Sequence, residues 1–103
     1  MKIYWTNESV QRLREIAAYI FHDNIIIAEK FIDKLIELAE TLSNSLQKGR
    51  IVPEFSLAHI RELLYKNYRI VYIIKKNRIE ILTVFEGNRL FKREEIKNIH
   101  NIN

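Results

Sequence analysis

The chain has 103 residues and a mass of 12.4 kDa, which is one domain's worth of material, and 48% hydrophobic with 29% charged residues suits a compact globule rather than disorder. There is no cysteine, so disulfides, thiolate metal sites and a cysteine nucleophile are excluded. The formal charge of +4 is unevenly placed: residues 1–49 carry six Lys and Arg against seven Asp and Glu, net −1, and residues 50–103 carry eleven against six, net +5. A basic half in a chain of pI near 9.4 favours an anionic partner, either nucleic acid or an acidic protein surface.

In chain order, Lys2 to Trp5 reads as a first strand and Thr6 as the N-cap of a helix. Val10, Leu13, Ala17, Ile20 and Phe21 recur at three- and four-residue steps, which predicts an amphipathic helix of roughly four turns with these residues on its core face. His22-Asp23-Asn24 interrupts it, and Ala28, Phe31, Ile32, Leu35, Leu38, Ala39 and Leu42 form the stripe of a second helix. So short a turn makes the two a helical hairpin. Ile51-Val52 before Pro53 reads as an edge strand, because proline donates nothing to a ladder. Ile60 to Tyr65, Tyr68 to Ile74 and Ile79 to Phe85 are three further strands, joined by connections that permit only antiparallel pairing. From Phe91 onward a short helix is expected. The fold class is therefore α+β: a single domain over residues 1–103, with a small antiparallel sheet and an N-terminal helical hairpin packed on one face. The other face is expected to stay open.

No apolar run approaches the roughly 18 residues of a membrane span, and Met1 to Trp5 lacks a signal-peptide layout, so a cytoplasmic protein without membrane contact is expected. The chemistry-bearing residues are arginines set in apolar strands: Arg61, Arg69, and Arg89 just past the last strand. Alternation places Arg69 on the same side as Val71 and Ile73, opposite Tyr68, Ile70 and Tyr72. A guanidinium there must reach solvent or a carboxylate. Pairing with Glu62 on the neighbouring strand and binding an external anion are both open, and the two are compatible. Gly87 ends the last strand where a positive φ or a close backbone approach is needed. Glu54, Glu62, Glu80 and Glu86 have no spacing that marks an acid/base pair, and His22, His59 and His100 stand singly, so no metal or cofactor is expected.

Four blocks carry a resemblance: Gly49-Arg50-Ile51-Val52-Pro53-Glu54, Ile60-Arg61-Glu62-Leu63, Tyr68-Arg69-Ile70-Val71-Tyr72 and Val84-Phe85-Glu86-Gly87-Asn88-Arg89. In this order and spacing the chain resembles the RelE/ParE family of bacterial toxins from type II toxin–antitoxin modules, over roughly residues 2 to 91. The resemblance implies a small antiparallel sheet under a helical hairpin. It also implies one of two activities. In the RelE-like branch, a ribosome-dependent mRNA endonuclease, Arg69 and Arg89 match the catalytic arginines. The paired lysines of that branch fall here at Ile60 and Glu62, and its tyrosine falls near Glu95. Glutamates there oppose an anionic scissile phosphate. Ile-Arg-Glu-Leu and Gly-Arg-Ile-Val-Pro-Glu are instead similar to the ParE-like branch, which traps DNA gyrase by binding. The expected partners are thus a cognate antitoxin and DNA gyrase, with the ribosome and mRNA as the alternative. A homodimer or a toxin–antitoxin hetero-oligomer is the expected assembly. Arg61, Arg69 and Arg89 are the candidate partner-binding residues, with Glu62 holding an arginine in place.

Overall fold

The computed structural model describes residues 1–87. The elements follow in the order β1 (Lys2–Trp5), α1 (Asn7–Phe21), α2 (Ile25–Glu40), a 3-10 turn (Thr41–Asn44), β2 (Arg50–Ile51), β3 (Ile60–Tyr65), β4 (Tyr68–Ile74) and β5 (Arg78–Glu86). They form one five-stranded sheet in the order β1-β5-β4-β3-β2. β2 to β5 pair antiparallel as expected, while β1 adds to β5 in parallel, with Ile3 beside Ile79 and Trp5 beside Ile81. The parallel pair is allowed because the whole helical hairpin and three strands lie between β1 and β5 in the chain. The sheet is mixed, and the layout is α+β.

Local chemistry starts and stops each element. The Thr6 hydroxyl accepts from Ser9 N–H at 3.1 Å, capping α1. Its proton is directed at the carbonyls of Ile81 (2.8 Å) and Leu82 (3.1 Å), so the same side chain ties the helix start to β5. That attachment falls on a bulge: Val71 faces Thr83 whereas Tyr72 faces Ile81, leaving Leu82 as the extra residue. Asn24 caps α2, its carboxamide oxygen accepting from Ile26 (2.9 Å) and Ile27 (3.1 Å) N–H.

The face under the helices holds the first core. Leu35 and Ala39 of α2 and Leu42 of the 3-10 turn pack on Leu63, Ile70, Tyr72, Ile79, Ile81 and Val84, with Leu13, Ile16, Phe31 and Trp5 around them. Tyr72 is fully buried, and its hydroxyl accepts from Gly49 N–H (3.0 Å) and donates to the Leu46 carbonyl (2.8 Å). Gly49 is required there, since a Cβ would stand 2.5 Å from the Glu62 carbonyl oxygen and 2.7 Å from that hydroxyl. Gly87 has no positive φ, but its N–H donates to the Asn67 carbonyl and a Cβ would come within 3.3 Å of that oxygen. Close approach is thus what the glycine serves.

Two expectations are corrected. The face opposite the helices is not open: Val52, Phe55, Ile60, Val71, Ile73, Leu82 and Phe85 are buried there with Leu57 packed against them, a second core. β2 is only two residues long, and the chain between it and β3 brings Val52 and Phe55 over the strands. Phe21, assigned to the core face of α1, is 55% exposed. It is the last residue of α1, at the tip of the hairpin.

Candidate functional site

On the second face the alternation of β3 and β4 brings Glu62 and Arg69 side by side, and β2 adds Arg50 opposite Glu62. Arg50 Nε donates to Glu62 Oε2 at 2.6 Å, and Arg69 Nε donates to Glu62 Oε1 at 2.6 Å. The remaining fork of Arg69 grips Glu54 with two parallel bonds, Nη1 to Oε2 at 2.9 Å and Nη2 to Oε1 at 2.8 Å. The Phe85 ring lies 5.1 Å from the same guanidinium. The result is a chain of alternating charge, Arg50–Glu62–Arg69–Glu54, whose four formal charges cancel. Glu62 is 1% and Arg69 5% exposed. A carboxylate so deeply placed is tolerable because both oxygens receive charge-assisted bonds. The bonds to Glu54 hold the Arg69 guanidinium above its ordinary pKa against the opposing effect of burial. Reciprocally, the bond from Arg69 holds the Glu54 carboxyl below the usual carboxylate range.

Arg61 is elsewhere. It pairs across the ladder with Tyr72, on the helix-covered face, and its Nε and Nη1 donate to the carbonyls of Ala58 (2.9 Å) and Gly49 (3.0 Å). There it closes the loop that approaches Tyr72. Arg61 and Arg69 therefore occupy opposite faces of the sheet, and both guanidinium groups are engaged within the chain. Arg89 lies outside the described residues, as does the helix expected from Phe91. Glu62 accepts from two arginines, Arg50 and Arg69.

Glu54 and Arg50 complete the network without having stood out as a functional pair. Their signal was spatial, because Pro53 and Glu54 follow the strand that carries Arg50. A second surface was also missed. Tyr19, Phe21, Ile25, Ile26 and Ile27, between 50% and 73% exposed, gather at the tip of the helical hairpin. Beside them runs an apolar groove of about 750 Å³ between α1 and α2, where Ala17, Ala18 and Ala28 leave room next to Phe21 and Ile25, with Glu29 and Asp33 adjoining. The sequence did hold a signal: three consecutive isoleucines span about 200° of a helix and cannot all face one core.

The described residues thus form two helices on a small mixed sheet, with Arg69 paired to two carboxylates and an apolar groove between the helices. The sequence matches the family described as the ParE toxin of type II toxin–antitoxin system, parDE, over residues 3–91. The chain belongs to that family. Among solved structures it is similar to a chromosomal ParDE toxin–antitoxin system from P. aeruginosa, with a TM-score of 0.70 and 20% identity, covering 84% of this chain and 95% of that one. At this identity the likeness speaks for the fold alone. A search of curated proteins returns no match. No helix among the described residues is long and apolar enough to cross a membrane.

Proposed function

We propose that this toxin acts by holding DNA gyrase rather than by cutting RNA, and that a cognate antitoxin neutralises it by covering the helical hairpin. The observation that carries this reading is the state of Arg69. Phosphoryl chemistry needs an arginine aimed at the charge that develops in the transition state. Here that guanidinium is buried and bonded to two carboxylates, Glu54 and Glu62. Presenting it to a phosphate means breaking three charge-assisted bonds and leaving Glu62 buried without one of its partners. The family's non-catalytic branch needs no such group, and inhibition by binding agrees with the described surface.

The exposed apolar surface supports an antitoxin contact on the hairpin. An amphipathic helix laid in the groove between α1 and α2 would cover Phe21 and Ile25 and bring its flanking basic residues to Glu29 and Asp33. This differs from a contact built on acidic side chains meeting Arg61 and Arg69, both of which already have partners.

The test is a supercoiling and DNA-cleavage assay with purified gyrase. Added toxin should suppress supercoiling and raise the amount of cleaved DNA, and an equimolar amount of antitoxin should restore the starting state. Unchanged gyrase at a large excess of toxin, together with cleaved mRNA on translating ribosomes, would replace this reading with the ribonuclease one.

A further inference from the structure

At the end of the sheet opposite the hairpin tip, the structure carries a second and chemically different surface. Lys2 of β1 and Arg78 of β5 are register partners and so share a face, with Tyr4 and Glu80 next along the same two strands. Arg78 is held there. Its Nη2 lies 2.6 Å from Glu80 Oε2, and its guanidinium rests 5.2 Å from the Tyr4 ring. Glu80 is buried at 1% exposure, whereas the Arg78 side chain is 48% exposed. A buried carboxylate thus orients an exposed arginine without cancelling the donors it turns outward. The turn before β5, closed by Lys75 N–H donating to the Arg78 carbonyl (2.9 Å), adds Lys75 and Lys76. Lys48 reaches the same end through its bond to Thr41 (3.0 Å), at the start of the 3-10 turn that contacts β1. Five cations therefore share an end at which the described carboxylates are the buried Glu80 and Glu40, the last residue of α2.

We infer that this basic end is a contact surface for the phosphate backbone of duplex DNA. Three observations select that partner. The densest group of large exposed apolar side chains, the anchors that a protein partner needs, is at the hairpin tip, and among the described residues this end exposes Tyr4 and Met1. Single-stranded nucleic acid binds on open aromatic platforms, and Arg78 already covers the Tyr4 ring. What is left is a cluster of lysines around a fixed arginine, which suits a regular array of phosphates and carries no base-reading geometry. The contact would be independent of sequence and strongly dependent on salt.

The inference stands apart from the gyrase reading and is tested on the full chain by fluorescence anisotropy. The probe is a labelled 20-base-pair duplex of arbitrary sequence, titrated across a salt series beginning at 50 mM. Lys75→Gln/Lys76→Gln should weaken binding about tenfold at the lowest salt and flatten the log–log salt slope by about 1.8, the loss expected for two phosphate contacts. Lys30→Gln/Lys34→Gln, on the exposed side of α2, removes the same net charge and should leave both quantities within about twofold of the parent. Arg78 stays intact because it is bonded to the buried Glu80, so its loss would disturb the strand as well as the surface. Equal losses in the two variants would reduce the effect to net charge and overturn the proposal. So would an unretained duplex at 50 mM salt, or capture of a labelled polyglutamate in preference to the duplex. Gyrase assays on the same variants report separately, so a failed DNA contact and a failed gyrase reading are distinguishable.

Discussion

Arg69 shows how much one side chain can decide. It stands in a strand of apolar residues with Phe85 on one side and two carboxylates on the other, and the second face is assembled around it. Replacing it by methionine keeps the volume but strips the buried Glu62 of a partner, an error that typically costs about 3–5 kcal/mol. A urea titration should show that loss for Arg69→Met, whereas Glu62→Leu/Arg69→Met, which removes both charges, should recover most of it. Glu54 is the milder member because it stands nearer solvent. Its folded-state pKa is depressed, so its share of stability is present above the unfolded value of about 4.3 and is lost as pH falls through the lower folded one. The gap between the urea midpoints of the parent and Glu54→Gln should therefore be open at pH 7 and closed in strong acid. A gap that persisted at low pH would mean that the carboxylate is not the source. Gly49 makes the opposite kind of demand, for absence. Gly49→Ala drives a methyl into the Glu62 carbonyl and the Tyr72 hydroxyl, neither of which can yield without breaking a ladder or a buried hydrogen bond. The expected penalty is about 1–3 kcal/mol in the same titration.

Among the elements, the joint at Thr6 does the most with the least. Its hydroxyl caps α1 and meets two carbonyls at the β5 bulge, so Thr6→Val should cost about 1–2 kcal/mol and lower Tm by several degrees, while Thr6→Ser should behave as the parent. The cap itself was legible, because a threonine between a short apolar run and an amphipathic period has few other uses. Its second bond was not legible, since Ile81 and Leu82 lie 75 and 76 residues away. The same divide runs through the sheet. The strands of the meander could be placed from composition and from connections too short to cross over. The parallel seat of β1 could not, because Lys2–Trp5 has no local feature that selects a neighbour. The covered second face was readable in principle: Tyr68–Ile74 is apolar at nearly every position, the mark of a strand buried on both sides. Treating the helices as the only available cover concealed it. The pairing of Arg69 with Glu62 was legible from their neighbouring strands, whereas the part of Glu54 depended on a turn whose path only the tertiary fold defines.

At the scale of the whole molecule, the described residues gather a basic cluster at one end and their densest exposed apolar group at the other, and this allows the proposed partners to be separated by experiment. The hairpin tip holds Tyr19, Phe21 and Ile25–Ile27 in water, where they contribute little to folding and remain available to a partner. Phe21→Asp and Ile26→Asp should each shift folding stability by no more than about 0.5 kcal/mol, as surface changes away from the core do. If an antitoxin helix covers this surface, the same changes bury a carboxylate against apolar side chains in the complex. They should then weaken antitoxin binding by about 2 kcal/mol or more, close to thirtyfold in Kd by calorimetry. If the groove serves neutralisation and not the target, cells expressing these variants should lose protection by the antitoxin while keeping the toxicity of the free chain. A variant that stayed fully protected would move the antitoxin off the hairpin. One that lost toxicity as well would make the hairpin part of the gyrase contact, and a single surface would then serve both partners.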